Sequence, residues 1–203
     1  MAGNAELLRR GAPDALAGEL AAASSDGVRI EPLPFRSVVN LRGPATEEFA
    51  NAVENAIGTV LPLEPNRWTG DGNRAVFWLG PDEWLLVAPD GKAKTIEEAV
   101  RAARPDESWL SIVDVSHNYT CLLLSGPCVR YLLAKGCPLD LHPRTFGPGD
   151  CAQTILAKSR VFLRALDDVN SFELWIRNSF ARYTVRWLLD ACAEFRGAQA
   201  ARR

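Results

Sequence analysis

The sequence has little of what most metal sites and disulfide frameworks require. It contains only two histidines, His117 and His142, and Met1 is its single methionine. Its cysteines are odd in number, five, and no two of them form a Cys-x-x-Cys motif. Zinc sites and disulfide scaffolds are usually recognised by such spacing or by an even count. We therefore predict free thiols that pack as small hydrophobic side chains, at Cys121, Cys128, Cys137, Cys151 and Cys192.

The motifs that bind nucleotides or form common nucleophilic centres are also missing. Neither Gly-x-Gly-x-x-Gly nor Gly-x-x-x-x-Gly-Lys-Ser/Thr occurs, and the glycine-containing segment 147–150 fits neither pattern. Gly-x-Ser-x-Gly is absent as well. The usual modes of binding FAD, NAD or ATP, and the serine-hydrolase elbow, are therefore unsupported.

Charge and hydropathy exclude two further classes of protein. The net charge is −2, whereas a nucleic-acid-binding protein needs a basic surface to displace counterions from phosphates. No apolar run approaches the roughly 20 residues of a membrane-spanning helix. Arg9, Arg10 and Asp14 interrupt the N-terminal segment where a secretory signal would be apolar. We expect a cytoplasmic protein.

An N-terminal arm is predicted to precede the folded part of the chain. Residues 1–34 are rich in alanine, with glycine, serine and aspartate between, and support at most one short helix. Such a segment buries too little apolar surface to offset its ordering entropy. We expect a partly extended arm that orders on a partner, a domain over 35–198 and a short tail over 199–203.

The order of predicted elements repeats within the domain. A strand, a helix opened by Gly-Pro, a hairpin and a second helix occupy 38–42, 43–58, 75–87 and 95–103. The same order returns at 120–124, 126–136, 161–176 and 179–196, where Ser179 is the expected N-cap of the last helix. A stripe of Phe180, Thr184, Trp187, Leu188, Ala191 and Phe195 is expected to be the buried face of that helix. The sequence therefore predicts an α+β fold of two duplicated β-α-β-β-α units, about 35–106 and 111–196, with helices packed on antiparallel or mixed sheets.

Two pairs of polar residues are candidates for chemistry. Asp114 and His117 lie at a strand edge close to Asn118 and Tyr119, and could bind a small molecule or act as an acid–base pair. The alternative is that Asp114 holds a backbone turn and His117 is exposed. Asp140 and His142 lack further metal ligands, so a turn held by side-chain bonds to the backbone is expected there.

Arginines and tryptophans suggest binding surfaces. Arg177 and Arg182 flank a helix start, which could receive an anion or could be an ordinary solvated cap. Trp68 and Trp109 lie outside the periodic elements. Because tryptophan is enriched at protein interfaces, we predict these two as interface residues.

One segment resembles the folate-dependent aminomethyltransferases. Asp114-Val115-Ser116-His117, Leu124-Ser125-Gly126-Pro127 and Leu132-Leu133 are similar to a stretch near the start of those enzymes. This resemblance implies an aminomethyltransferase-like, folate-binding-domain fold. The enzymes continue into a further C-terminal β-rich region that this chain lacks, so no catalytic residue is transferred.

A longer series of motifs resembles the gamma-subunit family of heterotetrameric sarcosine oxidase. The motifs are Trp78-Leu79-Gly80-Pro81-Asp82-Glu83-Trp84-Leu85, Lys135-Gly136-Cys137-Pro138-Leu139-Asp140-Leu141-His142-Pro143, Pro148-Gly149-Asp150-Cys151-Ala152-Gln153-Thr154 and Arg177-Asn178-Ser179-Phe180-Ala181. The resemblance implies a complex that oxidatively demethylates sarcosine to glycine, with hydrogen peroxide and formaldehyde or 5,10-methylenetetrahydrofolate. It places FAD, FMN, NAD, tetrahydrofolate and zinc on the alpha, beta and delta subunits, and none of these, nor a catalytic or metal-binding residue, on this chain.

Three functions follow as hypotheses. The first is a non-catalytic subunit that supports assembly of the oxidase. The second is a stand-alone folate-binding, aminomethyltransferase-like protein that uses a pocket near Asp114 and His117, and it predicts tetrahydrofolate binding weakened by Asp114→Ala. The third, a small-molecule regulatory module, rests on the paired units alone.

Overall fold

The computed structural model describes residues 15–104, 109–166 and 170–196 of the 203-residue chain. The strands are β1 (Arg29–Pro32), β2 (Arg36–Arg42), β3 (Trp68–Gly70), β4 (Ala75–Gly80), β5 (Glu83–Pro89), β6 (Ser111–Asp114), β7 (Tyr119–Ser125), β8 (Cys151–Leu156), β9 (Ser159–Ala165) and β10 (Ser171–Arg177). The helices are α1 (Ala17–Ala23), α2 (Glu47–Ile57), α3 (Ala93–Ala103), α4 (Val129–Ala134) and α5 (Asn178–Ala191), with 3-10 turns at Ser116–Asn118 and Ala193–Arg196.

Two antiparallel sheets form the centre of the molecule, which confirms the predicted α+β class. The strand orders are β3-β4-β5-β2-β6 and β1-β7-β10-β9-β8. Apolar side chains of α2 and α3 cover the outer face of the first sheet, and those of α1, α4 and α5 cover the second. The inner faces pack against each other through residues such as Phe77 and Leu85 on one side and Phe162 and Trp175 on the other.

The duplication is confirmed, and each unit gains two strands that we did not predict. Read from opposite ends, the sheets have corresponding orders, because β3-β4-β5-β2 matches β8-β9-β10-β7. The leading strand of each unit then pairs with the other unit's sheet. β1, which precedes β2 in the chain, adds to β7, and β6, which precedes β7, adds to β2. The two units therefore exchange edge strands.

Part of the predicted N-terminal arm belongs to this exchange. Leu16 and Leu20 of the α1 region, with Val28 and Ile30 around β1, are buried in the core of the second sheet. Glu19 of α1 also forms an ion pair with Arg186 of α5 at 2.7 Å. Residues 15–34 therefore pack within this chain, and ordering of the arm on a partner stays a prediction. Residues 1–14, the predicted tail 199–203 and most of the predicted turn at 167–170 lie outside the described residues.

The helix starts differ from the predicted ones. Pro44 is not the first helical residue of α2, because Thr46 is its N-cap and accepts a hydrogen bond from the Phe49 amide at 3.2 Å. The predicted C-terminal stop is confirmed, since Gly58 has a φ of 69°. α5 begins at Asn178 rather than after a Ser179 cap.

The buried face of α5 includes Thr184, Leu188 and Ala191 of the predicted stripe and differs from it at other positions. Its buried residues are Ala181, Thr184, Val185, Leu188 and Ala191. Phe180 instead lies on the outer face and is 44% exposed. The small side chain of Ala181 packs against the sheet, and a pattern search for large apolar residues overlooks it.

Candidate functional site

Asp114 and His117 come together where β6 turns into β7, but the hydrogen bonds of Asp114 serve the backbone. Its Oδ1 accepts from the Ser116 amide at 2.9 Å and from the Ser116 hydroxyl. Ser116 is buried, and its Oγ accepts from the Val38 amide at 2.9 Å. Asp114 therefore orients Ser116, which fastens the turn to β2.

His117 is exposed beside the same turn. Its ring lies 5.3 Å from that of Phe35, centroid to centroid, and its carbonyl accepts from the Asn178 amide group. The two rings and Asp114 line a cavity of about 200 Å³ that also contacts Ser37 and Lys94. Pockets for small ligands usually measure about 300–1,000 Å³. The geometry thus favours the turn interpretation over an acid–base pair or a folate pocket.

Asp140 and His142 form the predicted turn. The Asp140 carboxylate accepts from the His142 amide at 2.9 Å and from the Thr145 hydroxyl at 3.1 Å, and His142 Nδ1 accepts from the Arg144 amide at 3.2 Å. The backbone bond from His142, and then the bond from Thr145, lower the pKa of Asp140. Within 15–104, 109–166 and 170–196, no three His, Cys, Asp or Glu side chains are placed to hold a metal ion.

The glycine-containing loop at 147–150 joins the two units. The Asp150 carboxylate accepts from the Gly147 amide at 2.8 Å and forms an ion pair with Arg67 of the first unit. The Trp68 amide donates to the Gly149 carbonyl at 3.1 Å. The loop therefore has a structural role at the junction of the two sheets.

The two tryptophans predicted at interfaces have different surroundings. The Trp68 indole donates to the Ala165 carbonyl at 3.0 Å, and its ring lies 3.7 Å from the guanidinium carbon of Arg164. Trp68 thus belongs to the contact between the units. Trp109 is 50% exposed and stays available as a surface residue.

A buried ion pair between the sheets was not anticipated from the sequence. Arg164 and Glu173 are 5% and 6% exposed, and Arg164 Nη1 donates to Glu173 Oε2 at 3.1 Å. The Trp175 indole donates to the same oxygen at 3.1 Å. The sequence feature that could have indicated this ion pair is a single charged residue inside each of two apolar strands, 161–166 and 172–176.

The five cysteines are free thiols, as predicted, and four of them are buried. Burial raises the pKa of the Cys151 thiol from 9.0 to about 12. Burial, and then the Glu173 carboxylate, raise the pKa of Cys121 well above its ordinary value. Because the thiolate is the reactive form, neither residue is expected to react readily in the folded protein.

Because their pKa values are raised in the folded chain, these thiols make the free energy of unfolding decrease as the pH rises into the alkaline range. In the unfolded chain Cys151 ionises near 9.0, whereas in the folded chain it stays neutral up to about 12. Its stabilising contribution is therefore complete below pH 9 and is lost between pH 9 and 12. When the pH rises from 8 to 10, the free energy of unfolding of the wild type should fall as this contribution is lost. The fall should be about 1 kcal/mol smaller for Cys151→Ser, which has no thiol at this position. Urea unfolding under reducing conditions measures this, and equal losses would contradict it.

The comparisons with known proteins agree on one family. Residues 42–194 match the family described as "Sarcosine oxidase, gamma subunit family". Sarcosine oxidase subunit gamma from Corynebacterium sp. (strain P-1) is 40% identical over 191 residues, which cover 93% of this chain and 92% of that one. The corresponding subunit from Arthrobacter sp. is 36% identical with the same coverage.

Solved structures extend the agreement to the fold. A chain of the heterotetrameric sarcosine oxidase from Corynebacterium sp. U-96, in complex with pyrrole 2-carboxylate, is similar with a TM-score of 0.84 and 35% identity, over 93% of this chain and 97% of that chain. Aminomethyltransferase T of the glycine cleavage system from Bartonella henselae has a TM-score of 0.57 at 16% identity, over 84% of this chain and 48% of that chain. The second likeness confirms the aminomethyltransferase-like fold alone. By sequence and by structure, the chain belongs to the sarcosine oxidase gamma subunit family.

Proposed function

We propose that this chain is a non-catalytic assembly subunit of a cytoplasmic flavoprotein sarcosine oxidase. The observation that carries the proposal is the match to gamma subunits over 93% of the chain at up to 40% identity. The proposed partners are alpha, beta and delta subunits. They would hold FAD, FMN, NAD, tetrahydrofolate and zinc, and would oxidise sarcosine to glycine with hydrogen peroxide and formaldehyde or 5,10-methylenetetrahydrofolate.

The polar side chains singled out from the sequence support a non-catalytic role. Asp114 and Asp140 each accept a backbone amide hydrogen two residues later in the chain. Asp150 is engaged by the Gly147 amide and Arg67. These bonds order turns or join the two units, so each of the three carboxylates has a structural role. Among the helices in the described part of the chain, none has the length and apolarity needed to cross a membrane.

Coexpression of the oxidase subunits with and without this chain tests the proposal. Without the chain we expect little assembled complex and loss of most sarcosine-dependent peroxide formation. Complexes that contain His117→Ala or Asp114→Asn should keep kcat within about twofold, because these side chains serve no reacting atom and the asparagine Oδ1 still accepts the Ser116 amide hydrogen. Normal assembly and turnover without the chain would refute the assembly role. A collapse of kcat in an assembled His117→Ala complex would refute the non-catalytic role.

A further inference from the structure

A cavity of about 460 Å³ opens at one end of the first sheet. It lies between the turn that joins β3 to β4, the end of α2 and the start of α3. Pockets that hold small ligands usually measure about 300–1,000 Å³. The cavity is therefore large enough for a small molecule, unlike the one of about 200 Å³ beside His117. Its polar lining side chains are Thr59, Asp71, Asn73, Arg74 and Lys92.

The turn that forms one wall of the cavity is held in a fixed shape. Asp71 Oδ1 accepts from the amides of Asn73 at 2.6 Å and Arg74 at 2.9 Å. These backbone hydrogen bonds, from Arg74 and then from Asn73, lower the pKa of Asp71, so its carboxylate is ionised at neutral pH. Arg36 donates to the carbonyls of Gly72 at 3.0 Å and Asn73 at 3.1 Å. A wall that is ordered before a ligand arrives loses little entropy when the ligand binds.

The duplication supplies an internal reference for this cavity. In the second unit the corresponding turn and helix end touch directly, because the Ala157 amide donates to the Gly136 carbonyl at 2.9 Å. The Trp187 ring covers the same place, since a Cβ added to Gly136 would lie 2.7 Å from it. In the first unit the long side chain of Arg74 reaches the Ile57 carbonyl instead. The cavity is therefore a property of the first unit and is not required by the repeated fold.

Two polar groups at the cavity have no partner within the part of the chain that the structure describes. Thr59 is 8% exposed, yet its hydroxyl forms no hydrogen bond there. A buried hydroxyl without a partner costs free energy, so a group that enters the cavity and bonds to it is favoured. The Lys92 ammonium is exposed at the mouth and forms no ion pair with a described residue.

We propose that this cavity binds a free α-amino acid as its zwitterion. The carboxylate of the ligand lies against Lys92 and the Arg74 guanidinium, and its ammonium group donates to Asp71. The Thr59 hydroxyl donates to the ligand carboxylate. A ligand that carries only negative charge is a poorer occupant, because the Asp71 carboxylate repels it. Glycine and sarcosine fill little of the space, so an amino acid with a larger side chain is expected. The inference does not depend on the proposed assembly role.

Nuclear magnetic resonance titration of the isotopically labelled full chain with each of the standard L-amino acids tests the proposal. The amino acid that binds best should shift the amide signals of Gly58, Asn73 and Lys92, with a Kd in the millimolar range or below. Its decarboxylated amine and its deaminated acid should each bind about tenfold more weakly, because each lacks one of the two charged groups. The proposal is overturned if no amino acid shifts these signals, or if the deaminated acid or inorganic phosphate binds equally well.

Three variants separate the recognition groups. Thr59→Val keeps the shape of the side chain without its hydroxyl, Lys92→Met removes the charge, and Asp71→Asn keeps an oxygen that can accept the amide hydrogens of the turn. Each should weaken binding by about five- to tenfold, while the spectrum shows that the chain is folded.

The matched control is Lys158→Met, which removes an exposed lysine from the corresponding turn of the second unit. Its affinity for the amino acid should equal that of the wild type. Unchanged binding by Thr59→Val and Lys92→Met, or equal weakening by Lys158→Met, would show that the cavity is not the binding site.

Discussion

Replacing Glu173 by leucine is expected to lower the free energy of unfolding by about 3–5 kcal/mol, because it leaves a buried arginine without its counter-charge. Arg164 is 5% exposed and its Nε has no hydrogen-bond partner, so the bond to Glu173 is its main compensation in the described structure. The substitution also removes the acceptor of the Trp175 indole. Equilibrium unfolding in urea measures the loss.

Removal of both charges is expected to restore most of that stability. In Arg164→Met/Glu173→Leu no ion is left in the core, and methionine can fill the space over the Trp68 ring. A surface pair provides the reference, since Arg42 and Asp82 are 46% and 39% exposed and Asp82→Ala should cost under about 1 kcal/mol. Equal losses of stability for Glu173→Leu and Asp82→Ala, or a double variant less stable than the single one, would contradict this expectation.

Gly126→Ala is expected to destabilise the protein by about 3 kcal/mol, as the sum of backbone strain and overpacking. Gly126 has a φ of 115°, which residues with a Cβ rarely adopt. An added Cβ would lie 2.6 Å from the Gly27 carbonyl oxygen. That carbonyl also accepts from the Cys128 amide at 2.8 Å, so it cannot move away without loss of a bond.

The effect of Gly126→Ala should be concentrated at the exchanged strand. Gly126 directly follows β7, and Gly27 precedes β1, which pairs with β7. Amide hydrogen exchange should therefore rise most in β1. Gly72→Ala is the matched control, because its Cβ would meet no atom within 4 Å and a change within about 0.5 kcal/mol is expected. Equal stability of the two variants would show that the close contact between Gly126 and Gly27 tolerates a side chain.

Elements defined by local patterns were predictable. The hairpins β4–β5 and β9–β10 have contiguous apolar strands around a turn, and both form. Gly58 ends α2 because a left-handed C-terminal residue favours glycine wherever the rest of the chain lies. The turn at Asp140 was equally predictable, since its hydrogen-bond partners His142 and Thr145 are close to it in the sequence.

Contacts between segments that are distant in the sequence could not be predicted from local patterns. Nothing near β1 in the sequence indicates that it pairs with β7, about ninety residues further along, where Ile30 lies opposite Leu124 and Pro32 opposite Leu122. In the sequence, Leu16 and Leu20 belong to a segment with too few apolar residues to fold by itself. They are buried because the second sheet packs against them. The ion pair of Arg164 and Glu173 requires β9 and β10 to be in register and to face the first sheet.

The sequence by itself determined the order of the elements, the duplication, the free cysteines and the resemblance to gamma subunits, because period, turn residues and motifs are properties of short segments. Only the tertiary structure decided which edge strands are exchanged, that Trp68 is an internal contact and that Phe180 lies on the surface. These depend on which distant segments exclude water from one another, and that is settled when the two sheets pack together.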